Sequence, residues 1–268
     1  MLDNKEEVKL FWNSASCGED LYLQNVNLAG YQEQLRKRYE LEPYIIKFAK
    51  FDGSAGKKVL EIGVGLGADH QKFAESGAVL HGIDLTNRSI SHTQKRFAML
   101  DLKSDLKVGD AEALNFPDST FDEVYSWGVL HHSPRTDKCI DEVWRVLKLG
   151  GVARIMVYNK WSIIGLMLWT RYALFRMRPL TTLEEIYSKY LESPGTKAYT
   201  KKQALVLFRK FSTISIDIEL THSDLLTSGA GQRHRGVILD IAKKIWPRTI
   251  IQKLMSRMGL FMLITATK

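Results

Sequence analysis

The chain has 268 residues, of which 45% are hydrophobic and 25% are charged, the ordinary balance of a globular protein with a substantial core. Its formal net charge of +8 suits an acidic partner, such as an anionic substrate, a membrane surface or a nucleic acid. The two cysteines, Cys17 and Cys139, form no metal-binding pattern and argue against a secreted disulfide framework. No apolar run reaches the roughly 20 residues of a membrane span, and the polar N-terminus is not a signal peptide. We therefore expect a cytoplasmic protein without a bound metal.

The first part of the chain predicts helices. Residues 5–12 carry Val8, Phe11 and Trp12 on one side, and residues 32–50 form a second helical run with mixed charges. Pro43 predicts a break or a new start within that run. Asp52 to Gly56 read as a turn before the first strand.

A short apolar run, Lys58 to Ile62, predicts a buried strand, and Gly63, Gly65 and Gly67 follow it directly. Glycines allow the backbone to turn sharply and let a ligand lie against it. The loop also stands at the carboxyl end of a strand, where open α/β sheets bind ligands. Taken alone, it equally fits the loop of a nicotinamide-dinucleotide site.

Three further strand ends carry polar side chains. Asp84 ends the second strand, Asp110 and Glu112 follow the third, and His131 and His132 follow the fourth. Strands and helices alternate from Val59 to Tyr158, which predicts a parallel sheet with right-handed crossovers.

In this order the motifs resemble those of the class I S-adenosylmethionine-dependent methyltransferases, of the methyltransferase type 11-like kind. The resemblance covers roughly residues 56–158. The third and fourth strand ends are not part of the nicotinamide fingerprint, which favours the methyltransferase interpretation. The matching segments are Glu61 to Gly67, Asp84, Gly109 to Glu112, Phe116 to Asp122, Val129 to His132 and Arg145 to Gly151.

The resemblance implies an α/β fold: a three-layer, Rossmann-like sheet of seven strands in the order 3-2-1-4-5-7-6, with strand 7 antiparallel. It also implies an N-terminal helical cover over residues 1–52 and a methyltransferase domain over residues 53–268. Insertions after strands 5 and 6, at about 160–199 and 221–258, would lie on the acceptor side.

The implied cofactor is S-adenosylmethionine. The glycine loop would lie under its methionine part, Glu61 would help to hold its ammonium, and Asp84 would accept hydrogen bonds from the ribose hydroxyls. Asp110 would accept from the adenine amino group, while Leu85 and Phe116 could sandwich the ring. The predicted cofactor-binding residues are Glu61, Gly63, Gly65, Gly67, Asp84, Leu85, Asp110, Ala111, Glu112 and Trp127.

Two histidines are the candidate catalytic residues. His131 and His132 follow the fourth strand, on the rim where the methyl group should point, and a histidine near its ordinary pKa can accept a proton. The resemblance aligns His131 with a histidine used by phosphoethanolamine-type enzymes. A base is needed only if the acceptor loses a proton on attack, and one histidine could merely bind the backbone. The predicted substrate-binding residues are Tyr22, Tyr31, Tyr158, Tyr199, His222, Arg233 and Arg235.

The segment 161–175 is apolar almost all round if it is helical, yet too short to cross a membrane. Three roles stay open: a lid or wall of the acceptor site, a homodimer contact, or a peripheral helix on a membrane surface.

The predicted function is methyl transfer to a small-molecule, lipid-like or peptide acceptor, with oxygen as the first choice and nitrogen or carbon as alternatives. The basic charge raises an RNA methyltransferase as a competing hypothesis. No RNA-binding module is appended, so we expect no stable nucleic acid partner. A non-enzymatic binding protein on the same fold is a third hypothesis.

Overall fold

The computed structural model describes residues 4–227, 243–244 and 246–268. A seven-stranded sheet with the order β3-β2-β1-β4-β5-β7-β6 forms its centre, as predicted. The strands are β1 Lys58–Ile62, β2 Val79–Asp84, β3 Asp105–Val108, β4 Phe121–Trp127, β5 Leu147–Tyr158, β6 Thr213–Glu219 and β7 Phe261–Thr267.

Helices cover both faces of this sheet and precede its first strand. The predicted run over 32–50 is divided between α3 and α4, with Pro43 immediately before the first residue of α4. The helices are α1 Asn4–Ser14, α2 Glu19–Tyr22, α3 Leu28–Leu41, α4 Tyr44–Ala49, α5 Ala68–Glu75, α6 Asn87–Met99, α7 Thr136–Val146, α8 Ile163–Tyr172, α9 Leu183–Tyr190, α10 Lys201–Leu207 and α11 Arg248–Leu254.

The central strands are buried on both faces because helices cover both sides of the sheet, and successive side chains point to these two sides in turn. Val59 packs with Phe73 of α5 on one face. Its neighbour Leu60 belongs to the core on the other face, together with Ile140 of α7. This two-sided burial explains why β1 reads as an apolar run rather than as an alternating pattern.

The last strand, β7, lies between β5 and β6 and is antiparallel to both. Ile264 stands opposite Ile155 of β5 and Ile216 of β6. The antiparallel seventh strand that the resemblance implied is therefore confirmed.

The insertion after β5 forms a pair of helices, α8 and α9. They pack through Leu168, Ala173 and Ile186, and the rings of Tyr172 and Tyr190 stack 4.0 Å apart. The side chain of Ser162 caps α8 by accepting from the Gly165 amide. Across the described ranges, we find no helix with the length and apolarity of a bilayer-spanning one.

One buried carboxylate joins the N-terminal helices to the sheet. Asp69, in the first turn of α5, accepts hydrogen bonds from Arg38 Nε (2.8 Å) and Nη2 (2.6 Å), from the Tyr39 hydroxyl (3.0 Å) and from the Tyr125 hydroxyl (2.8 Å). Burial alone would raise the pKa of Asp69, but the Arg38 guanidinium and the hydroxyls hold it below its ordinary value. Helices α3 and α5 and strand β4 thus meet at one charge.

A second buried contact ties α3 to the glycine loop. The fully buried Arg96 of α6 donates to the carbonyl oxygens of Leu66 (2.8 Å) and Tyr31 (2.7 Å). It also donates to the side chains of Gln34 and Gln71. The loop after β1 is therefore held from the α6 side as well as through α5.

We expect Asp69→Asn to destabilise the fold by about 3 to 5 kcal/mol, because it removes the buried charge that the Arg38 guanidinium contacts most closely and leaves only the longer contact with Glu42. Urea unfolding of the variant measures this loss. The control is Asp137→Asn, which breaks an exposed pair with Arg135 and should cost less than about 1 kcal/mol. Equal effects of the two substitutions would contradict the role given to Asp69.

Candidate functional site

A cavity of about 450 Å³ lies at the carboxyl ends of β1, β2 and β4. Residues of α1, α2 and α3 line one part of it, and residues of the insertion after β5 line another. The cavity therefore lies where the strand-end motifs predicted a site.

The glycine loop forms one wall of this cavity. Gly63 has φ +85°, and a Cβ atom there would stand 2.1 Å from a methyl carbon of Val129. Gly65 has φ +53° and lines the cavity, and a Cβ added there would meet nothing within 4 Å. Gly63 is thus needed for close packing, whereas Gly65 leaves open space beside the backbone. Gly67 packs against Thr93 and is not a lining residue.

Asp84 presents its carboxylate to the cavity at the end of β2. It accepts from the Gly65 amide (3.2 Å), the Thr86 amide (3.0 Å) and the Thr86 hydroxyl (2.9 Å). Burial raises the pKa of Asp84, and these hydrogen bonds oppose that rise. The contacts fix the carboxylate beside the glycine loop, and the next residue, Leu85, also lines the cavity.

Asp110 and Glu112 line the cavity after β3, together with Ala111, and both meet a lysine that the sequence did not single out. Lys5 of α1 donates to Asp110 (2.8 Å) and to Glu112 (2.5 Å). The N-terminal helix is therefore fastened to the acids predicted for the adenine end. A lone lysine in a polar N-terminal segment gives no sequence signal for this contact.

Glu61 does not line the cavity, so its predicted contact with the cofactor stays a prediction. Its carboxyl group lies 2.8 Å from His70 Nδ1, and His70 Nε2 lies 2.8 Å from the Ser104 hydroxyl, which donates to the Leu80 carbonyl. Because Ser104 has one hydroxyl hydrogen, His70 Nε2 must donate to it, and Nδ1 then accepts from a protonated Glu61. Burial supports this, since it raises the pKa of Glu61 well above its ordinary value and lowers that of His70 to about 3.

The two candidate catalytic histidines occupy different environments. His131 is fully buried, does not line the cavity, and packs its ring 4.0 Å from that of Tyr158. Within the described part of the chain, neither of its ring nitrogens has a hydrogen-bond partner, and burial lowers its pKa well below the ordinary value. His132 lines the cavity, with its ring 5.3 Å from that of Trp12. Of the pair, His132 is the residue that can reach a ligand.

The insertion after β5 surrounds His132. Its Nδ1 lies 2.8 Å from the Ser193 hydroxyl and 3.0 Å from the Thr196 hydroxyl, and its Nε2 lies 3.3 Å from Glu192 Oε2. The Tyr158 hydroxyl donates to the same Glu192 oxygen (2.6 Å). The segment around Glu192 reads as an ordinary loop, so the sequence did not predict this histidine–carboxylate pair.

His131, His132 and Glu192 also bring one potential metal-ligand atom each to within 4.8 Å of one another. Histidine nitrogens and carboxylate oxygens are ordinary zinc ligands. The sequence predicted no metal, because the carboxylate comes from a distant loop.

The predicted substrate-binding residues divide into three groups. Tyr22, Tyr158 and His222 line the cavity. Tyr31 and Tyr199 do not, which corrects their prediction: the Tyr31 hydroxyl bonds to His92 Nδ1 (3.0 Å), and Tyr199 pairs through its backbone with residue 159 and packs into the core. The remaining two, Arg233 and Arg235, lie outside the described residues.

Trp127 lines the cavity as predicted, but Phe116 does not, so the adenine sandwich with Leu85 needs correction. The Phe116 ring packs edge-on against His81 (5.9 Å) and Phe121 (5.0 Å) in the core beside β4.

Two charged residues at the end of α3 line the cavity although the sequence did not single them out, namely Arg38 in the last turn and Glu42 immediately after the helix. The Arg38 Nη1 lies 3.4 Å from a Glu42 oxygen, and burial raises the pKa of Glu42 to about 7. Residues 36–38 read as a solvated basic run, and only the packing of α3 against α5 distinguishes Arg38 from its neighbours.

The part of the cavity beyond His132 is mainly apolar. One face of α8 contributes Ile164, Met167, Leu168 and Arg171, which recur at helical spacing. The other apolar lining residues there are Met156, Leu191, Leu226, Leu260 and Phe261.

Comparison with known proteins supports a methyltransferase. Residues 60–155 match a family model described as a methyltransferase domain. Over 137 residues the chain is 31% identical to phosphoethanolamine N-methyltransferase 2 of Caenorhabditis elegans, covering 50% of this chain and 29% of that protein. Over 116 residues it is 36% identical to the fatty-acid O-methyltransferase of Mycolicibacterium smegmatis, covering 42% of this chain and 41% of that protein. The chain thus spans less than half the length of these two relatives.

A solved structure has the same fold. The phosphoethanolamine N-methyltransferase 2 of Haemonchus contortus, in complex with phosphomonomethylethanolamine and S-adenosylhomocysteine, superimposes with a TM-score of 0.64 at 18% identity. The match covers 100% of this chain and 60% of that one.

The groups that line the cavity suit S-adenosylmethionine. Gly65 leaves room beside the backbone, and Asp84 and Asp110 offer carboxylate oxygens at the two strand ends. Acidic groups also suit a cofactor that carries a sulfonium and an ammonium.

We expect Asp84→Ala to weaken S-adenosylmethionine binding by at least about tenfold, because hydrogen bonds to a charged acceptor are lost. Calorimetric titration measures the affinity, and thermal unfolding checks that the variant folds. The matched control is Asp105→Ala, since Asp105 begins β3 and pairs with Lys107 on the surface. Unchanged affinity in a folded Asp84→Ala protein would contradict the proposed contact.

Glu42 should make stability depend on pH. Its pKa rises from 4.5 to about 7 on folding, so its ionisation disfavours the folded state increasingly as pH rises through that range. We therefore expect Glu42→Gln to be more stabilising, relative to the parent, on the alkaline side of the range than on the acidic side. Urea unfolding on the acidic side and on the alkaline side of this range measures the difference in stability between variant and parent. The control is Glu40→Gln, an exposed position in α3, whose effect should not depend on pH in this way. A difference independent of pH would be inconsistent with this assignment.

Proposed function

Through residues 60–155 the chain belongs to the class I S-adenosylmethionine-dependent methyltransferases, and we propose that it methylates a hydroxyl oxygen of a lipid-like acceptor. The observation that carries this proposal is a single cavity with two unlike parts. The cofactor end has glycine backbone and carboxylates, and the other end is apolar with one histidine–carboxylate pair on its wall.

The cofactor supplies a methyl group on a sulfonium, which is already an activated electrophile. The chain must hold both reactants in line, and such positioning contributes roughly 7 to 11 kcal/mol at the limit. On the donor side, Asp84 and the Gly65 backbone would hold the ribose and methionine parts. On the acceptor side, α8 and the residues around Phe261 would hold an apolar chain.

His132 is the group suited to take the proton that a hydroxyl acceptor loses. The Thr196 hydroxyl donates its hydrogen to the Ser193 carbonyl (2.7 Å), so its oxygen can only accept from His132 Nδ1. With the proton on Nδ1, the buried Nε2 keeps its lone pair and can accept a proton from an acceptor hydroxyl that reaches it. Glu192, 3.3 Å from Nε2, would stabilise the imidazolium that forms.

His131 is poorly suited to this role, although the resemblance aligned it with a catalytic histidine. Its ring is fully buried, and burial holds its pKa well below the ordinary range. It is better placed to support the rings of Tyr158 and His132 on either side of it.

A screen with labelled methyl donor tests the proposal directly. The purified protein is incubated with lipid extracts and, separately, with polar metabolites and total RNA, and the labelled products are identified by mass spectrometry. An O-methylated lipid supports the proposal. Label confined to RNA, to nitrogen or to carbon would replace it with one of the other methyltransferase hypotheses.

We expect His132→Gln to lower kcat by at least about a hundredfold, because general base catalysis contributes factors of that size, while cofactor affinity is unchanged. Glu192→Gln should lower kcat less and shift its pH dependence, because it removes the charge that stabilises the imidazolium. The control is His81→Gln, which removes a histidine paired with Asp105 outside the cavity. Full activity of His132→Gln would show that the acceptor needs no base here.

A further inference from the structure

The segment after α8, residues 174–180, exposes large apolar side chains side by side; we name it the apolar tip. Phe175 is 77% exposed, Met177 88% and Leu180 94%, while Leu174 is 45% exposed. The buried Ala173 anchors the start of the tip against α9. Clustered exposure of this kind is uncommon on soluble proteins and marks an interaction surface.

The apolar tip is also basic. Arg176 and Arg178 lie within it, Arg171 precedes it, and residues 171–180 contain no acidic side chain. The guanidinium groups of Arg171 and Arg176 each lie 5.3 Å from the centre of the Tyr172 ring, which holds them at the base of the tip. Of the nearby acids on α9, Glu184 is paired with Lys160, and Glu185 lies beside Met177 and Leu180. Positive charge therefore dominates where the apolar side chains are exposed.

The tip follows directly on the helix that lines the acceptor end of the cavity. Ile164, Met167 and Arg171 of α8 are lining residues, and the tip begins two residues after α8 ends. A molecule held against α8 thus lies close to the exposed apolar surface.

We propose that the apolar tip docks this protein on an anionic membrane surface, and that the acceptor enters from that surface along α8. The route of the acceptor rests on the proposed function, but the docking does not. Phe175, Met177 and Leu180 would enter the boundary between headgroups and acyl chains, and the arginines would bind lipid phosphates.

A protein partner fits this surface less well. A stable protein interface takes about 20 to 30 residues on each side. The tip has seven residues, and arginines alternate with its apolar side chains. A mixture of bulky apolar and basic groups on a small area is instead typical of membrane-surface contacts.

Flotation with lipid vesicles tests the docking. We expect the protein to bind phosphatidylcholine vesicles that contain phosphatidylglycerol, to bind less at high salt, and to bind pure phosphatidylcholine weakly. The variant Arg176→Gln/Arg178→Gln should lose about fivefold in affinity per arginine. The variant Phe175→Ser/Met177→Ser/Leu180→Ser should lose at least about tenfold, because three large side chains no longer leave water.

Two matched controls separate the tip from general effects. Leu149→Ser removes an apolar side chain that is 89% exposed elsewhere, and Lys95→Gln/Lys103→Gln removes two exposed lysines. Both should bind vesicles as the parent does. The proposal would be overturned if the parent failed to bind, if the tip variants bound equally well, or if light scattering showed that the tip variants abolish a dimer instead.

The outcome for docking and the outcome for function can be told apart. Cofactor binding by calorimetry should be unchanged in the tip variants, because the tip is not part of the cofactor end. Vesicle binding without any methylated lipid would leave the docking intact and refute the proposed acceptor. Methylation of a dispersed acceptor without vesicle binding would support the proposed function and refute the docking.

Discussion

The buried charge of Asp69 is the contact on which the candidate site most depends. The glycine loop after β1 has no polar side chain with which to bind the helices that cover it, so the polar groups that follow the loop must do so. Asp69 lies in the first turn of the helix after that loop and binds both α3 and β4. Its main partner, Arg38, also lines the cavity. The wall opposite the loop is thus attached to the centre of the sheet by one ion pair.

The acceptor end is built differently from the cofactor end. The sheet contributes His132, just after β4, but the residues that orient it come from the insertion after β5, namely Glu192, Ser193 and Thr196. The same insertion supplies the apolar wall on α8. The end predicted for the cofactor is therefore built mainly on strand ends, whereas the polar groups at the other end depend on how one inserted segment packs.

This division explains what the sequence could predict. Residues at strand ends, such as Asp84 and Asp110, have positions fixed by the order of the sheet, and they line the cavity as expected. The surroundings of a residue on a helix depend on which neighbouring element it meets along the helix axis, and the sequence pattern alone does not give this. Tyr31 and Arg38 lie two turns apart on the same side of α3, yet Tyr31 meets His92 of α6, whereas Arg38 meets Asp69 of α5 and lines the cavity unpredicted. Glu192 was missed because its role needs a contact with a histidine far away in the sequence.

The cavity is lined by more acidic than basic side chains although the chain has a positive formal net charge, and this supports an amphipathic acceptor over a nucleic acid. The formal net charge is +8, yet Asp84, Asp110, Glu112 and Glu192 all carry acidic groups at the site. A polyanion that entered the cavity would be repelled by the carboxylates of Asp84 and Glu192, whereas Asp110 and Glu112 share the charge of Lys5. A neutral headgroup on an apolar chain would meet no such barrier, because the proposed acceptor would place its chain against α8 and its hydroxyl beside His132. The basic charge is better used at the apolar tip, outside the cavity, where it attracts an anionic surface without entering the site.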